Sequence, residues 1–209
     1  MKKHFFFFIL LLFPLLAAAQ TYKYIGVEDG LSNRRVYAIQ KGPKGYMWFL
    51  THDGIDRYNG KEFKHYKLMD GEEEVNSMMS LSWLYTDAKG RLWEIGKQGR
   101  VFCYESKHDR FQLVYKLPKS ETKDLHTPVS YGFIDDNYIV WLCNQKNIYL
   151  YDSETERCTT IKNEINESIT DIEQIDANHY FIGTDVGIHY AELKNNKLML
   201  SPCNKLDTL

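Results

Sequence analysis

Gly45-Tyr46-Met47-Trp48-Phe49-Leu50-Thr51-His52-Asp53-Gly54 and Gly90-Arg91-Leu92-Trp93-Glu94-Ile95-Gly96-Lys97-Gln98-Gly99 share one spacing: a glycine, a tryptophan three residues on, and a glycine six beyond that. A third copy carries Asn147 six residues after Trp141, and a fourth puts Phe181 in place of the indole with Gly187 at the same interval. The aromatic-to-aromatic steps are 45, 48 and 40 residues. A period of that length, built of short strands and tight turns, is that of a β-propeller blade.

Each period divides into four strands by two-residue alternation and turn residues. In the first copy the strands read 36–40, 46–51, 55–58 and 62–67. In the second they read 81–85, 91–95, 101–105 and 110–115; in the third 129–134, 139–143, 148–151 and 158–161; in the fourth 169–175, 180–183, 188–193 and 198–200. Asn59-Gly60 reads as a type I′ hairpin, whose two central residues need positive φ. Asn137, Asn147 and Asn178 stand where other copies have turn glycines, and asparagine tolerates the left-handed conformation. The expected fold is all-β: a β-propeller of four-stranded antiparallel blades, about four of them, partial or open, spanning roughly 32–75, 76–124, 125–167 and 168–209. Trp48, Trp93, Trp141 and Phe181 are expected to pack between blades rather than to stack on a ligand. The run Glu72-Glu73-Glu74 reads as a solvated loop between blades.

Residues 1–19 stand outside this pattern. Lys2 and Lys3 precede the apolar run 5–16, which is too short to cross a bilayer, and Ala17-Ala18-Ala19 supplies the small residues of a cleavage site. The expected product is an exported, periplasmic chain cut before Gln20, without a transmembrane helix after cleavage. Loss of the two lysines takes the formal charge from −2 to −4, a balance that does not steer the chain to nucleic acid. Cys103, Cys143, Cys158 and Cys203 show neither Cys-x-x-Cys nor a histidine pattern for zinc, so no metal site and no cofactor are expected. Cys103 and Cys143 fall in strands, where a free thiol packs as a small hydrophobe.

The stretch 29–66 resembles the two-component regulator propeller repeat of exported sensor regions in Bacteroidetes-type hybrid two-component systems. The residues that carry the resemblance are Asp29-Gly30-Leu31-Ser32-Asn33, Val36, Ile39, Gly45-Tyr46-Met47-Trp48, Thr51, Gly54-Ile55, Arg57-Tyr58-Asn59-Gly60, Phe63 and Tyr66. The resemblance implies recognition of an extracellular ligand, often an oligosaccharide, upstream of a histidine kinase. Such proteins usually carry two seven-bladed propellers, a β-sandwich, one membrane helix and cytoplasmic signalling domains. This chain stops at Leu209 after four copies, so it is expected to correspond to the amino-terminal part of such a sensor and to have no enzymatic activity of its own. Its expected partners are an oligosaccharide ligand and either the remaining blades of a longer sensor or a self-associating copy. The alternatives are a stand-alone exported propeller that binds glycan or protein and, less favoured, a propeller polysaccharide lyase.

In a propeller the segment entering each inner strand and the turn between second and third strands lie on one side, where ligands are met. The candidate ligand-binding residues on that side are Arg34, Arg35, His52, Asp53, Lys97, Gln98, Gln145, Lys146 and Asp185. The arginines suit acidic sugars. His52-Asp53 is not expected to act as an acid–base pair, because adjacent turn residues point apart. No catalytic residue is assigned.

Overall fold

The structure, a computed structural model, describes residues 22–75, 82–122, 129–165 and 167–202. The expected leader, residues 1–19, and Cys203 lie outside the described residues. The first sheet is a meander of β1 (Val36–Lys41), β2 (Met47–Thr51), β3 (Gly54–Tyr58) and β4 (Phe63–Tyr66). A two-stranded ribbon follows, β5 (Met69–Asp70) with β6 (Glu73–Glu74). The second sheet holds β7 (Ser82–Thr86), β8 (Leu92–Gly96), β9 (Arg100–Glu105) and β10 (Arg110–Lys116). The third holds β11 (Tyr131–Ile134), β12 (Ile139–Cys143), β13 (Asn147–Asp152) and β14 (Arg157–Lys162), and the fourth β15 (Ile169–Gln174), β16 (His179–Thr184), β17 (Ile188–Lys194) and β18 (Lys197–Pro202). Every pairing is antiparallel between consecutive strands, and the first strands β1, β7, β11 and β15 neighbour one another in turn. This is a β-propeller-like, all-β architecture.

Burial shows how the sheets stack. In β2 and β16, burial alternates along most of the strand, because only one face of each terminal sheet is packed. In β8 every residue is buried, and in β12 four of five, because sheets lie against both faces. Three apolar clusters fill the three spaces between sheets. In the first, Trp48 meets Tyr104 at 4.7 Å, Tyr66 at 5.2 Å and Phe111 at 5.8 Å between ring centroids. Trp93 occupies the second and Trp141 the third, where Tyr180 lies 4.7 Å away. Phe181, expected to match them, is only half-buried. It has the same register as the tryptophans, but its face of the fourth sheet has no neighbouring sheet, and the buried ring of that strand is Tyr180.

The indole nitrogens reveal a second regularity. Trp93 Nε1 donates to Asp87 Oδ2 at 2.9 Å, and Trp141 Nε1 donates to Asp135 Oδ2 at 3.0 Å, an oxygen that also accepts the Tyr180 hydroxyl at 2.9 Å. Both aspartates sit six residues before their tryptophan. The matching residue in the first copy is Gly42, so Trp48 Nε1 has no partner among the described residues. A Cβ at Gly42 would stand 2.3 Å from that nitrogen. Glycine is required there because the indole fills the space.

Several turns are built otherwise than expected. Gly45 and Gly90 have φ of 76° and 75°, but in the third copy the left-handed residue is Tyr138 at 65° rather than Asn137, and neither Asn147 nor Asn178 has positive φ. Asn147 pairs within β13, and the side chains of Asp135 and Asp176 shape the other two turns through backbone N–H groups. At Asn59-Gly60 only Gly60 is left-handed; Asn59 Oδ1 instead accepts the N–H groups of Lys61 and Glu62 at 2.8 and 2.9 Å. The run Glu72–Glu74 is exposed but is not a plain loop, since Glu73 and Glu74 form β6 and Glu74 pairs with Lys67. Gly99, at φ 75°, is held by space as well: its Cβ would lie 2.5 Å from Leu117. Cys103, Cys143 and Cys158 are free thiols, half-buried, buried and exposed respectively, and burial pushes the Cys103 thiol up to about 12.

Between sheets 1 and 2 a polar clamp adds to the rings. Asp109 Oδ1 accepts from Arg57 at 2.9 Å and from Tyr66 at 2.6 Å, while Oδ2 meets Lys64. These donors hold the Asp109 carboxyl well below the usual carboxylate range despite its partial desolvation. Buried in the same interface is Glu94, bonded to Ser82 but with Oε2 unpartnered among the described residues. Burial pushes its pKa up to about 7, against the pull of Ser82 and Arg100.

Asp135→Ala leaves two buried donors unpaired and is expected to cost roughly 2–4 kcal/mol by urea unfolding; a loss no larger than that of an exposed alanine substitution would show that the bonds carry no stability. Because Glu94 binds its proton more tightly in the folded state, stability is full below its ordinary pKa of 4.5 and falls as pH rises towards about 7. Glu94→Gln should flatten that decline, gaining on the order of 2–3 kcal/mol above neutrality relative to the parent. Unfolding midpoints measured at about pH 5 and about pH 8 check it; an unchanged slope would disprove the assignment.

Candidate functional site

In sheets 1, 3 and 4 the lead-in to the first strand lies at the same end as the turns between second and third strands. His52 N donates to Arg35 O at 3.1 Å, Val129 N to Lys97 O at 2.8 Å and Asp185 N to Ser168 O at 3.2 Å. With the first strands neighbouring one another, the turns 52–53, 97–99, 144–146 and 185–187 gather at one end of the row of sheets.

One concave feature opens there on the first sheet, a cleft of about 420 Å³ lined by Val27, Ser32, Asn33, Arg34, Arg35 and His52. Its walls follow from local chemistry. Asn33 Oδ1 accepts Arg35 N at 2.9 Å, a side-chain turn that bends the chain and places Arg34 and Arg35 side by side on the surface. Asn33 Nδ2 donates to Asp53 Oδ2 at 3.0 Å, tying the lead-in to the turn. Beneath them Ser32 Oγ and Thr51 Oγ1 lie 2.8 Å apart, Thr51 Oγ1 donates to Gly54 O at 3.1 Å, and Ser32 N donates to the buried Asp56 at 2.7 Å. Asp56 in turn holds His65 Nδ1 at 2.7 Å. The cleft thus stands on a hydrogen-bonded base anchored in sheet 1.

Charge distinguishes it. Arg57, Arg91, Arg100 and Arg110 each meet a carboxylate. Arg34 and Arg35, both exposed, meet none among the described residues, nor does the exposed Arg157 of β14; what sets Arg34 and Arg35 apart is that two such guanidiniums stand side by side. Beside them Tyr37, 40% exposed, bonds His52 Nδ1 through its hydroxyl at 2.9 Å, and the two rings lie 6.3 Å apart. Two guanidiniums next to an aromatic pair can hold a planar anion and offer a flat surface to a ring.

Of the residues picked from sequence, Arg34, Arg35 and His52 come together in this cleft, with Asp53 held at its rim. The others lie on their own sheets and do not line it. Gln98 accepts a hydrogen bond from Arg100, and the Lys97 carbonyl is engaged by Val129. Gln145 and Lys146 are exposed beside the buried Asn144, whose side chain accepts Lys146 N at 2.9 Å and Asn147 N at 2.7 Å. The Asp185 carboxylate accepts Ser168 N at 3.1 Å, so it shapes its own turn. His52 and Asp53 do point apart, to Tyr37 and Asn33. Ser32, Asn33 and Val27 were missed as cleft residues; the signal was Asn33 two positions before Arg35, a side-chain turn pattern. Among the described residues no group of His, Cys, Asp and Glu is arranged to hold a metal ion, and no helix is long and apolar enough to cross a membrane.

Arg34 and Arg35 are exposed and meet no carboxylate among the described residues, so Arg34→Ala and Arg35→Ala should each shift unfolding free energy by no more than about 0.5 kcal/mol. Asn33→Ala, which removes two bonds, should cost more, about 1 kcal/mol. Thermal melts of the three variants test this, and a large loss for either arginine would assign it a structural role.

The stacked, four-stranded meanders define a protein of the propeller-like, repeat-built class, and solved structures agree with this. The chain is similar to the extracellular domain assigned to the hybrid two-component system BT3049 of B. thetaiotaomicron, with a TM-score of 0.64, 20% identity, and coverage of 87% of this chain and 26% of that one. It is also similar to streptogramin B lyase, with a TM-score of 0.59, 16% identity, and coverage of 83% and 56%. PorZ, a surface component of the type-IX secretion system of Porphyromonas gingivalis, matches with a TM-score of 0.51, 12% identity, and coverage of 80% and 21%. The chain therefore spans about a quarter of the length of the BT3049 domain. At these identities the likeness is one of fold, and a fold shared with a lyase leaves activity to the site. No family model matches the chain, and no curated protein matches it.

Proposed function

We propose that the chain is an exported, ligand-sensing propeller segment of a hybrid two-component sensor, with four blades at about 32–75, 76–124, 125–167 and 168–209 following a leader cut before Gln20. The fold likeness to the BT3049 extracellular domain supports the sensor reading, and the string 29–66 supports it from sequence. The ligand is an oligosaccharide carrying carboxylates, and it is bound in the cleft of Arg34, Arg35 and His52. One observation carries this: two adjacent arginines without carboxylate partners among the described residues, set beside the Tyr37–His52 ring pair. A uronic acid offers both a carboxylate for a bidentate guanidinium and a ring face for an aromatic. The chain acts by binding, with no catalytic residue assigned.

Titration calorimetry with a panel of uronate-containing and neutral oligosaccharides tests the proposal. Binding of an acidic member, weakened at least about tenfold by Arg34→Ala or Arg35→Ala and by added salt, is the expected result. Binding of neutral glycans alone, or acidic binding untouched by both variants, would overturn the cleft assignment.

A further inference from the structure

Asp56 is fully buried, and sheet 1 alone carries an acid at its register. Its pairing with Phe49 makes Phe102, Tyr149 and His189 its equivalents in the other three sheets. A buried carboxylate needs donors and a counter-charge. Oδ2 of Asp56 accepts Ser32 N at 2.7 Å, and Oδ1 meets His65 Nδ1 at 2.7 Å. Arg57, the next residue along, turns to Asp109 on the opposite face, and among the described residues no lysine or arginine meets Asp56. The histidine that does meet it reaches solvent: the His65 side chain is 54% exposed, that of Asp56 1%.

What Asp56 holds is the segment that carries the cleft. Ser32 stands two residues before Arg34, and the chain leading to it lies across the same face of sheet 1: Leu31 is buried, a Cβ at Gly30 would stand 3.6 Å from Phe63, and Lys23 Nζ reaches the Tyr58 hydroxyl at 3.4 Å. Histidine is the side chain whose charge ordinarily changes near neutral pH. With an imidazolium at Nδ1 the buried carboxylate has its counter-charge beside it; with a neutral imidazole a hydrogen bond can remain but the charge does not. We propose that His65, acting through Asp56, is a positioning residue of the cleft. Protonated, it fixes Ser32 and with it the Arg34–Arg35 pair; neutral, it lets the carboxylate give up Ser32 N and turn towards water. Neither residue lines the cleft, so the effect on a bound anion is indirect and has the sign of tighter binding at lower pH. The other charged or titratable groups of this region are engaged elsewhere: His52 with Tyr37, Asp53 with Asn33, Asp29 with Gly26 N and Lys23 with Tyr58. The consequence for a ligand rests on the glycan reading of the cleft, whereas the movement of Ser32 does not.

Amide exchange at Ser32, read by nuclear magnetic resonance on the full exported chain without ligand and corrected for intrinsic rates, tests the coupling. Between about pH 6 and about pH 8 the protection of Ser32 N should fall at least about fivefold in the parent. His65→Gln, neutral throughout, should show the lower protection at both pH values. Asp56→Asn removes the charge but keeps an acceptor for Ser32 N, so its protection should stay high at both. His52→Gln should leave the parent's response in place, and circular dichroism confirms that each variant is folded. Protection that does not change with pH in the parent, or a response that survives both His65→Gln and Asp56→Asn, would refute the inference. In a second arm the parent should bind an oligogalacturonate more tightly at about pH 6 than at about pH 8, and His65→Gln should shrink that difference; an undiminished difference would assign it to His52 and refute the effect on binding. If no oligogalacturonate binds, the glycan reading fails, and the exchange result still decides whether His65 positions Ser32.

Discussion

The indole that reaches from one sheet across to the next is the contact on which the rest of this molecule depends. A four-stranded meander has two faces and too little of its own apolar surface to stand alone, so it becomes stable only when a neighbour covers it. Trp48, Trp93 and Trp141 supply that cover in three successive gaps, and in two of them an aspartate six residues earlier satisfies the indole nitrogen. Asp87 and Asp135 therefore join a turn to a core: the same carboxylate that shapes the bend after the first strand also fixes the ring on the second. In the first copy the arrangement is traded for a different one. Gly42 makes room for the ring, and Arg57 lies over it, 5.6 Å from its centroid, while gripping Asp109 in the next sheet.

This stacking explains why the candidate site sits where it does. The turns between second and third strands are pinned to the lead-in segments by backbone bonds, so loops at that end are fixed by the sheets rather than free of them. On sheet 1 the pinning uses Ser32, Asn33, Thr51 and Asp56, and it leaves the two arginines outside the bonded set. On sheet 4 the comparable turn spends Asp185 on Ser168 and Thr184 on Gly187, which closes the turn on itself. Glu167 takes part by accepting from Thr184 and pairing with His189, and those bonds lower its pKa. The same scaffold position thus yields an open charged cleft in one copy and a self-satisfied turn in another.

The strands were legible from local pattern because alternation and turn residues act over a few positions. Each of the sixteen strands of the four sheets was found, with ends displaced by at most two residues. The failures concern what lies across a gap. Phe181 keeps the spacing of the tryptophans, yet spacing carries no information about whether a neighbouring sheet exists. Tyr138 takes the left-handed backbone in place of Asn137 because Asp135 organises that turn through the N–H groups of Asn137 and Ile139. Of the nine candidate residues, three line one cleft and one stands at its rim; the remainder lie on separate sheets, and loop position alone did not distinguish them.

By itself the sequence determined the repeat and the four-strand order of each copy, since these depend on spacing of side chains along one chain. Only the tertiary structure decided which aromatics are enclosed, which carboxylates hold indoles, and which arginines are left unpaired. Burial and hydrogen-bond pairing are properties of two surfaces at once, and the second surface comes from residues some forty or more positions away.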